Sequence, residues 1–326
     1  MNMIMAGECR ALIHYRAFCN TDAPQLAEIW RSQTAQRGLM QPMSAAVLER
    51  FVFSRPTFDA QGLIVASDGE RLLGFAHAGF GPSSDLSTLA TDEGVTCLVM
   101  LRPDVEPSVG AELLAYSEAF LESRGAKTLY GGGSYPLAPF YQGLYGGSEF
   151  SGILDSDQRG QAFFLEHGYR PAKRSLVLHR DLACFRPLID RVQMQIRRQS
   201  TVEMIVDPPT TSWWEACVFE PFDRTRCVLV TRAGGPPAAV VNFWNMETMI
   251  GAWGVHAVGI AGLQVNDSRR KNGLATFLLG ESLRNLHAQG VALAEVHVAE
   301  ENAAALALFR KLGFEQVDSA VLYRKD

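Results

Sequence analysis

The chain has 326 residues, of which 47% are hydrophobic and 20% charged, and its formal net charge is −5. This length exceeds that of a usual single domain, so two domains are expected. The acidic balance and the dispersed basic residues argue against nucleic acid as a partner, and no stretch approaches the ~18 uninterrupted apolar residues of a membrane helix.

The six cysteines show no CxxC or Cys/His spacing typical of zinc sites, so no metal is expected. Cysteines that pack as small apolar residues fit a reducing cytoplasm, which is the predicted location. The first residues lack the basic and apolar segments of a secretory signal, and residues 1 to about 10 are expected to form a loose terminus. A monomer or homodimer is expected.

The first half alternates strand and helix patterns. In chain order it predicts a strand from Ile13 to Phe18, a helix capped by Thr21 or Asp22, a hairpin of 62–67 and 72–79 turned by Asp68-Gly69, a strand from Cys97 to Leu101, a helix from Val109 to Arg124 and a strand from Lys127 to Tyr130. A Gly- and aromatic-rich insertion follows from Tyr130. Its Tyr135, Phe140, Tyr141 and Tyr145 either line a pocket for a substrate or pack as a structural loop.

The end of the first half is repeated at the end of the chain. FFLEHGYRPAKRSLVLHRD, from Phe163, resembles LFRKLGFEQVDSAVLYRKD, from Leu308. In both copies an apolar helix ends at a glycine and a strand follows. The repeat predicts two similar mixed α/β (α+β) domains, at 11–185 and 200–326, joined by a polar and partly helical linker at 186–199.

The second half repeats the element order. Strands are predicted at 202–206, 227–231, 238–245, 258–265 and 293–298, with a helix from Gly273 to Ala288. The turn RKNGLA joins the strand ending at Val265 to this helix. A helix that begins directly after such a turn favours binding of a diphosphate, because its first N–H groups are unpaired and Arg270 supplies a cation.

With this turn in place, the chain resembles the GNAT acyltransferase superfamily. The family signature is Gln/Arg-x-x-Gly-x-Gly/Ala, followed later by Asn-x-x-Ala-x-x-Leu-Tyr-x-x-x-Gly-Phe. Matching residues are Arg270, Gly273 and Ala275 in the first pattern and Asn302, Ala305, Leu308, Gly313 and Phe314 in the second. The resemblance implies two tandem GNAT-like acyl-CoA N-acyltransferase folds and an acetyl-CoA-dependent N-acetyltransferase that acts on a small-molecule or peptide amine.

The resemblance also implies a set of cofactor contacts, namely Leu263, Val265, Arg270, Asn272, Gly273, Leu274, Ala275, Thr276, Asn302 and Phe309. The chain departs from the family at Phe309, because the family's acidic tyrosine usually stands there. Tyr323 is either a substitute proton donor or a half-buried strand aromatic. Glu247 and His256 are the candidate bases, against the alternatives of a solvated charge and a structural histidine.

The corresponding turn of the first half reads VEPSVG, from Val105. Pro107 removes an N–H group and Glu106 places a negative charge beside the expected diphosphate, so this half is predicted to be degenerate. The degenerate turn and Phe309 favour a second hypothesis, in which tandem GNAT folds sense a ligand without turnover.

Overall fold

One thirteen-stranded sheet runs through both halves of the chain in the computed structural model, which describes residues 12–326. The terminus expected to be loose lies outside the described residues. The first half contains β1 (Ile13–Ala17), α1 (Ala23–Arg31), α2 (Ala45–Leu48), β2 (Leu63–Asp68), β3 (Arg71–Pro82), β4 (Leu89–Leu101), α3 (Pro107–Ser123), β5 (Thr128–Gly131), β6 (Ile153–Leu154), α4 (Gln158–Glu166) and β7 (Arg170–Asp181).

After a short additional helix, the second half repeats the order β-α-β-β-β-α-β-α-β, which α2 and β6 interrupt in the first half and one short helix interrupts in the second. It contains α5 (Arg191–Gln199), β8 (Ser200–Val206), α6 (Trp213–Phe219), β9 (Arg224–Thr231), β10 (Ala239–Asn245), α7 (Ile250–Trp253), β11 (Ala257–Val265), α8 (Leu274–Ala288), β12 (Leu293–Ala299), α9 (Ala303–Lys311) and β13 (Glu315–Lys325). The mixed α/β architecture predicted from the sequence is confirmed.

Local sequence signals explain several boundaries. Gly69 adopts a left-handed φ of +59° in the turn between β2 and β3, as the Asp-Gly pair predicts. Asp157 and Asn302 begin α4 and α9 in the same way, because each side chain accepts a hydrogen bond from the backbone N–H three residues later. The two copies of the terminal repeat therefore share their helix cap as well as their sequence.

The two halves exchange their last strands. The sheet order is β1-β2-β3-β4-β5-β13-β7-β12-β11-β10-β9-β8. Strand β13, from the second half, pairs with β5 of the first, and β7, from the first half, pairs with β12 of the second. The same kind of exchange between identical subunits is known as domain swapping. The predicted boundaries at 185 and 200 therefore divide the sequence but not the sheet.

Two large hydrophobic clusters flank this central crossing. One lies in the second half, where α8 buries Leu278, Leu279 and Leu283 against the strands. The other begins around α1 of the first half and extends to Trp244 and Met249 of the second half. Because this cluster draws on both halves, burial of apolar surface holds them together in addition to the shared sheet.

Helix α5 lies within the segment predicted as a linker. Asp190 begins it by accepting a hydrogen bond from the N–H of Gln193, at 2.8 Å. Gln193 and Ile196 are buried, and the Gln193 amide donates to the Gly273 carbonyl oxygen at 3.4 Å. The helix therefore packs beside the start of α8.

Candidate functional site

The loop before α8 has the backbone of an anion-binding turn. A short turn at Asp267–Arg269 leads into Lys271 and Gly273, which have left-handed φ angles of +62° and +77°. Within residues 12–326, no acceptor is bonded to the backbone N–H groups from Lys271 to Thr276. Six successive unpaired donors at a helix N-terminus form a strong site for a diphosphate.

The side chains of this loop lie mostly in solvent. Arg270 is 67% exposed and pairs with Asp267 at 2.6 Å, so its guanidinium lies at the loop. The Asn272 amide donates to the Arg269 carbonyl oxygen at 3.3 Å, and Thr276 is buried. A Cβ added to Gly273 would lie 3.0 Å from Gln193 Nε2, so this glycine faces α5 and not the open side of the loop.

The strands that precede this loop and follow α8 separate from each other. Strands β11 and β12 pair in parallel only at Ala257–Gly259 and Leu293–Glu295. Beyond Gly259, β11 continues to Val265 with only its β10 edge paired. Gly262, at a φ of +61°, marks an irregularity there. Leu263 and Val265 thus offer free backbone groups toward the cleft, as the resemblance implies for pantetheine.

The corresponding turn of the first half, from Val105, is not an equivalent loop. Pro107 is the first residue of α3 and has no N–H group, while the N–H groups of Val105 and Val109 donate to the carbonyls of Arg102 and Glu106. The insertion after β5 packs against β3, where a Cβ added to Gly79 would lie 2.7 Å from the Phe140 ring. The degeneracy of the first half stays a prediction.

Asn302 and Phe309 have structural partners. The Asn302 side chain accepts a hydrogen bond from the Ala305 N–H at 3.1 Å, so it caps α9. Phe309 is buried and packs edge-on against Phe314, with ring centroids 5.1 Å apart. Since phenylalanine has no ionisable proton, this position supplies no acid.

Glu247 and His256 lie at the closed end of the separating strands. Glu247 begins the turn after β10, is exposed, and accepts a 3.4 Å hydrogen bond from the Asn245 amide. His256 directly precedes β11 and lines a cavity of 160 Å³. The paired segment 257–259 separates both residues from the cleft and the loop at its far end. Their role as bases stays a prediction.

The strand exchange places Tyr323 in the first half. Tyr323 pairs with Gly131 of β5, is buried, and stacks on Phe164 with centroids 6.0 Å apart. It does not lie at the β11–β12 cleft. The residue beside β12 at the matching position of the repeat is His179, which pairs with Glu295. The structure therefore favours the alternative of a structural aromatic.

Loss of a general acid would lower turnover by at least ~10-fold. Because Tyr323 lies in the first half, Tyr323→Phe is expected to lower turnover by much less. The ring would still pack on Phe164, and the hydroxyl is remote from the cleft. Steady-state kinetics on the purified variant, with its melting temperature as the control, checks this. A fall of about 10-fold or more in kcat at unchanged stability would contradict the placement.

A buried carboxylate lies where the pairing of β11 and β12 ends. Glu295 is fully buried and accepts hydrogen bonds from Arg37 at 2.6 Å, from His179 at 2.5 Å and from the Ser148 N–H at 2.5 Å. His297 lies 3.3 Å from the same carboxylate and 2.6 Å from the Ser151 hydroxyl. This set, Arg37, Ser148, Ser151, His179, Glu295 and His297, is called the Glu295 cluster below.

The cluster fixes the charges of its members. Burial alone would raise the pKa of Glu295, but hydrogen bonds from His179 and His297 outweigh it and hold the pKa well below its ordinary value. Burial lowers the pKa of His179, although its hydrogen bond to Glu295 opposes this effect. Glu295 is thus a stable anion with its oxygen atoms occupied by donors.

Sequence reasoning missed the Glu295 cluster. One signal was present, because β12 reads Leu-Ala-Glu-Val-His-Val-Ala, with two ionisable residues on one face of an otherwise apolar strand. The donors come from the loop after α1, from the insertion and from β7. Only the exchanged strand and the insertion bring these segments to β12.

The aromatic side chains of the insertion are mostly packed inside the protein. Phe140, Tyr141 and Tyr145 are buried, and Tyr135 alone of the four is exposed, at 39%. Phe140 stacks on His77 with centroids 4.1 Å apart, and the Tyr141 hydroxyl lies 2.8 Å from His77 Nδ1. Burial lowers the pKa of His77 to about 3. Phe140, Tyr141 and Tyr145 therefore pack as part of a structural loop, and they do not line an open pocket.

Within the described residues 12–326, no group of histidine, cysteine, aspartate or glutamate side chains has the arrangement of a metal site. In the same range, every helix is too short or too polar to cross a membrane.

Comparisons with known proteins agree with this architecture. Residues 194–314 match the model of the Acetyltransferase (GNAT) family. No curated protein matches the chain by sequence.

Solved structures match over nearly the whole chain. A GCN5-related N-acetyltransferase from Sphaerobacter thermophilus is 18% identical, with a TM-score of 0.63 over 96% of this chain and 95% of that one. A tandem GNAT protein from the clavulanic acid biosynthesis pathway is 15% identical, with a TM-score of 0.67 over 96% and 98%.

A third match is a glucosamine N-acetyltransferase region of a fungal multi-domain β-N-acetylglucosaminidase. It is 16% identical, with a TM-score of 0.69 over 98% of this chain and 38% of that one. At such identities the likeness shows the fold alone. Residues 194–314 therefore match the GNAT acetyltransferase family, and the chain as a whole has the fold of two GNAT domains in tandem.

Proposed function

We propose that the second half binds acetyl-CoA and transfers its acetyl group to an amine. The observation that carries this proposal is the run of unpaired N–H groups from Lys271 to Thr276, located at the open end of the β11–β12 cleft. A diphosphate matches the converging donors, and an extended pantetheine matches the free edge of β11.

Bound acetyl-CoA would supply an activated thioester, and the chain would position it. The loop from Arg270 to Thr276 would hold the diphosphate, and the backbone at Leu263 and Val265 would pair with pantetheine. Phe309 offers no proton, so the thiolate would leave without an acid from this position. A thiol pKa of about 8.5 makes that a tolerable leaving group.

Calorimetry with CoA tests the binding proposal, and the expected stoichiometry is one site per chain. Two equivalent sites, or no binding, would overturn it. Thiol release from acetyl-CoA over an amine panel tests transfer, and glucosamine belongs in the panel because one structural relative acts on it. Binding without release on any amine would support the ligand-sensing alternative.

Arg270→Ala is expected to weaken CoA binding by about 10- to 100-fold, because a charge-assisted contact to a diphosphate contributes roughly 1.5–3 kcal/mol. Titration calorimetry measures the change. Arg310→Ala is the matched control, since it removes one exposed positive charge from α9 of the same half. Equal affinity of the Arg270 variant and the wild type would refute the role given to Arg270.

A further inference from the structure

The insertion of the first half crosses onto the second half at the closed end of the cleft. The Ser148 N–H binds the Glu295 carboxylate at 2.5 Å, and the Ser148 carbonyl accepts a hydrogen bond from the Trp244 indole at 3.2 Å. A Cβ added to Gly259 would lie 2.7 Å from the Ser148 Cβ. Ser148 is thus fixed above the last residue of β11 that pairs with β12.

A second anchor follows three residues later. The Ser151 hydroxyl lies 2.6 Å from Nδ1 of His297, and Phe150 is fully buried in the hydrophobic cluster that both halves share. Glu149 lies between these anchors. Its backbone is therefore held in place by both neighbours, on the face of β12 that carries Glu295 and His297.

The Glu149 carboxylate has charged neighbours but no bonded partner. His297 of β12 and Lys173 of β7 lie near enough to act on it electrostatically, and it acts in turn on Tyr135 of the insertion. Within residues 12–326, no hydrogen bond or ion pair to this carboxylate is formed, although the residue is half-buried. Such a group keeps its lone pairs available, whereas the oxygen atoms of Glu295 are already occupied by four donors.

The environment also strengthens Glu149 as a base. Burial raises its pKa above the ordinary value of 4.5, and the electrostatic effects of His297 and Lys173 oppose this rise without cancelling it. A carboxylate with a raised pKa holds an abstracted proton more readily.

We propose that Glu149, a residue of the first half, is the catalytic base for acyl transfer in the second half. This inference rests on the proposed function. Glu149 takes one proton from the acceptor ammonium, and the freed amine nitrogen attacks the thioester carbonyl carbon. The C–N bond forms, the C–S bond breaks, the thiolate takes the second nitrogen proton, and Glu149 returns its proton to water.

This assignment gives the first half a part in the reaction. Its own loop at Val105 lacks the donors for a diphosphate, yet its insertion brings a base to the cleft of the other half. Glu247 and His256 are separated from the cleft by the paired segment 257–259, and a base from a different segment of the chain would take their place.

Glu149→Gln tests the proposal, with Glu315→Gln as the matched control, since Glu315 is an exposed carboxylate on β13. With an amine that supports thiol release, we expect kcat/KM of Glu149→Gln to fall by about 10²–10⁴-fold at pH 7.5, with CoA affinity unchanged. The acid limb of the wild-type pH profile, which follows protonation of Glu149, should be replaced in the variant by a rise that follows deprotonation of the acceptor amine.

A stability measurement provides a readout that needs no acceptor. A carboxylate whose pKa is raised on folding destabilises the folded state above its ordinary pKa, and this cost vanishes where it is protonated in both states. Glu149→Gln should therefore raise the melting temperature at pH 8, and the difference should disappear below about pH 4. A structural carboxylate that is stabilised by Lys173 and His297 would give a lower melting temperature instead.

The outcomes separate the two proposals. Intact CoA binding with undiminished turnover in Glu149→Gln, or a lowered melting temperature at pH 8, overturns the role of Glu149 and leaves the proposed function standing. Absence of CoA binding, or of thiol release by the wild type on every amine, overturns the proposed function and the base with it.

Discussion

Glu295→Ala is expected to lower the free energy of unfolding by about 3–5 kcal/mol, because it leaves the partly buried guanidinium of Arg37, whose side chain is 26% exposed, without its counter-ion. The Ser148 N–H and His179 also lose their acceptor. The loss should appear in urea denaturation at pH 7.5 as a large shift of the midpoint. If the pairing of β7 with β12 breaks first, the two halves should also unfold less cooperatively.

Glu300→Ala is the appropriate control. Its side chain is 58% exposed and lies 4.0 Å from Arg174, so its removal should change the free energy of unfolding by no more than about 0.5 kcal/mol. A Glu295 variant that differs from the wild type by less than about 1 kcal/mol would mean that the Glu295 cluster contributes little to stability.

The Glu295 cluster should also make the wild type sensitive to acid. The pKa of Glu295 is lower in the folded than in the unfolded chain, so its contribution is complete above the ordinary value of 4.5 and is lost as the pH falls below that value. Melting temperatures between pH 7 and pH 3 should therefore fall more steeply for the wild type than for Glu295→Gln. Parallel curves would contradict the depressed pKa.

Gly273→Val is expected to weaken CoA binding by more than about 100-fold, through loss of two or more N–H contacts to the diphosphate. The left-handed φ of +77° is strained for a branched residue, and the new Cβ would press on Gln193 and Val192 of α5. The loop and the first turn of α8 would have to move. Calorimetry with CoA measures the loss.

Gly290→Val provides the matched control for backbone strain. Gly290 has a φ of +96° after the opposite end of α8, and an added Cβ there would meet no atom within 4 Å. Both variants should lose stability, but Gly290→Val should retain its affinity for CoA. If the two variants bound CoA equally well, the loop would not be the diphosphate site.

The sequence predicted those features that depend on local chemistry. The loop before α8 was recognisable because Arg270, Gly273 and a strand-to-helix transition are contiguous. The Asp68-Gly69 hairpin was equally local. Strand β4 was foreseen only from Cys97, because Thr91, Asp92 and Glu93 near its start are all polar and exposed and show no apolar alternation.

Features that depend on distant segments were not foreseen. The repeat suggested that each copy of the last strand completes its own half, since both strands carry the same apolar pattern. That pattern fits either sheet position, so it cannot distinguish an exchanged strand from a retained one. The pairing of Glu295 with His179 follows from the exchange, and so does the position of Tyr323 beside β5.

The exchanged strands also impose an order on biosynthesis. Domains commonly fold as they leave the ribosome, starting from the N-terminus. Here β5 ends at Gly131, but its neighbour β13 begins only at Glu315. Until β13 emerges, the nascent first half exposes an unpaired strand edge, which is a template for wrong pairing. Contacts this distant in sequence form slowly, so the nascent chain should depend on chaperones until β13 is in place.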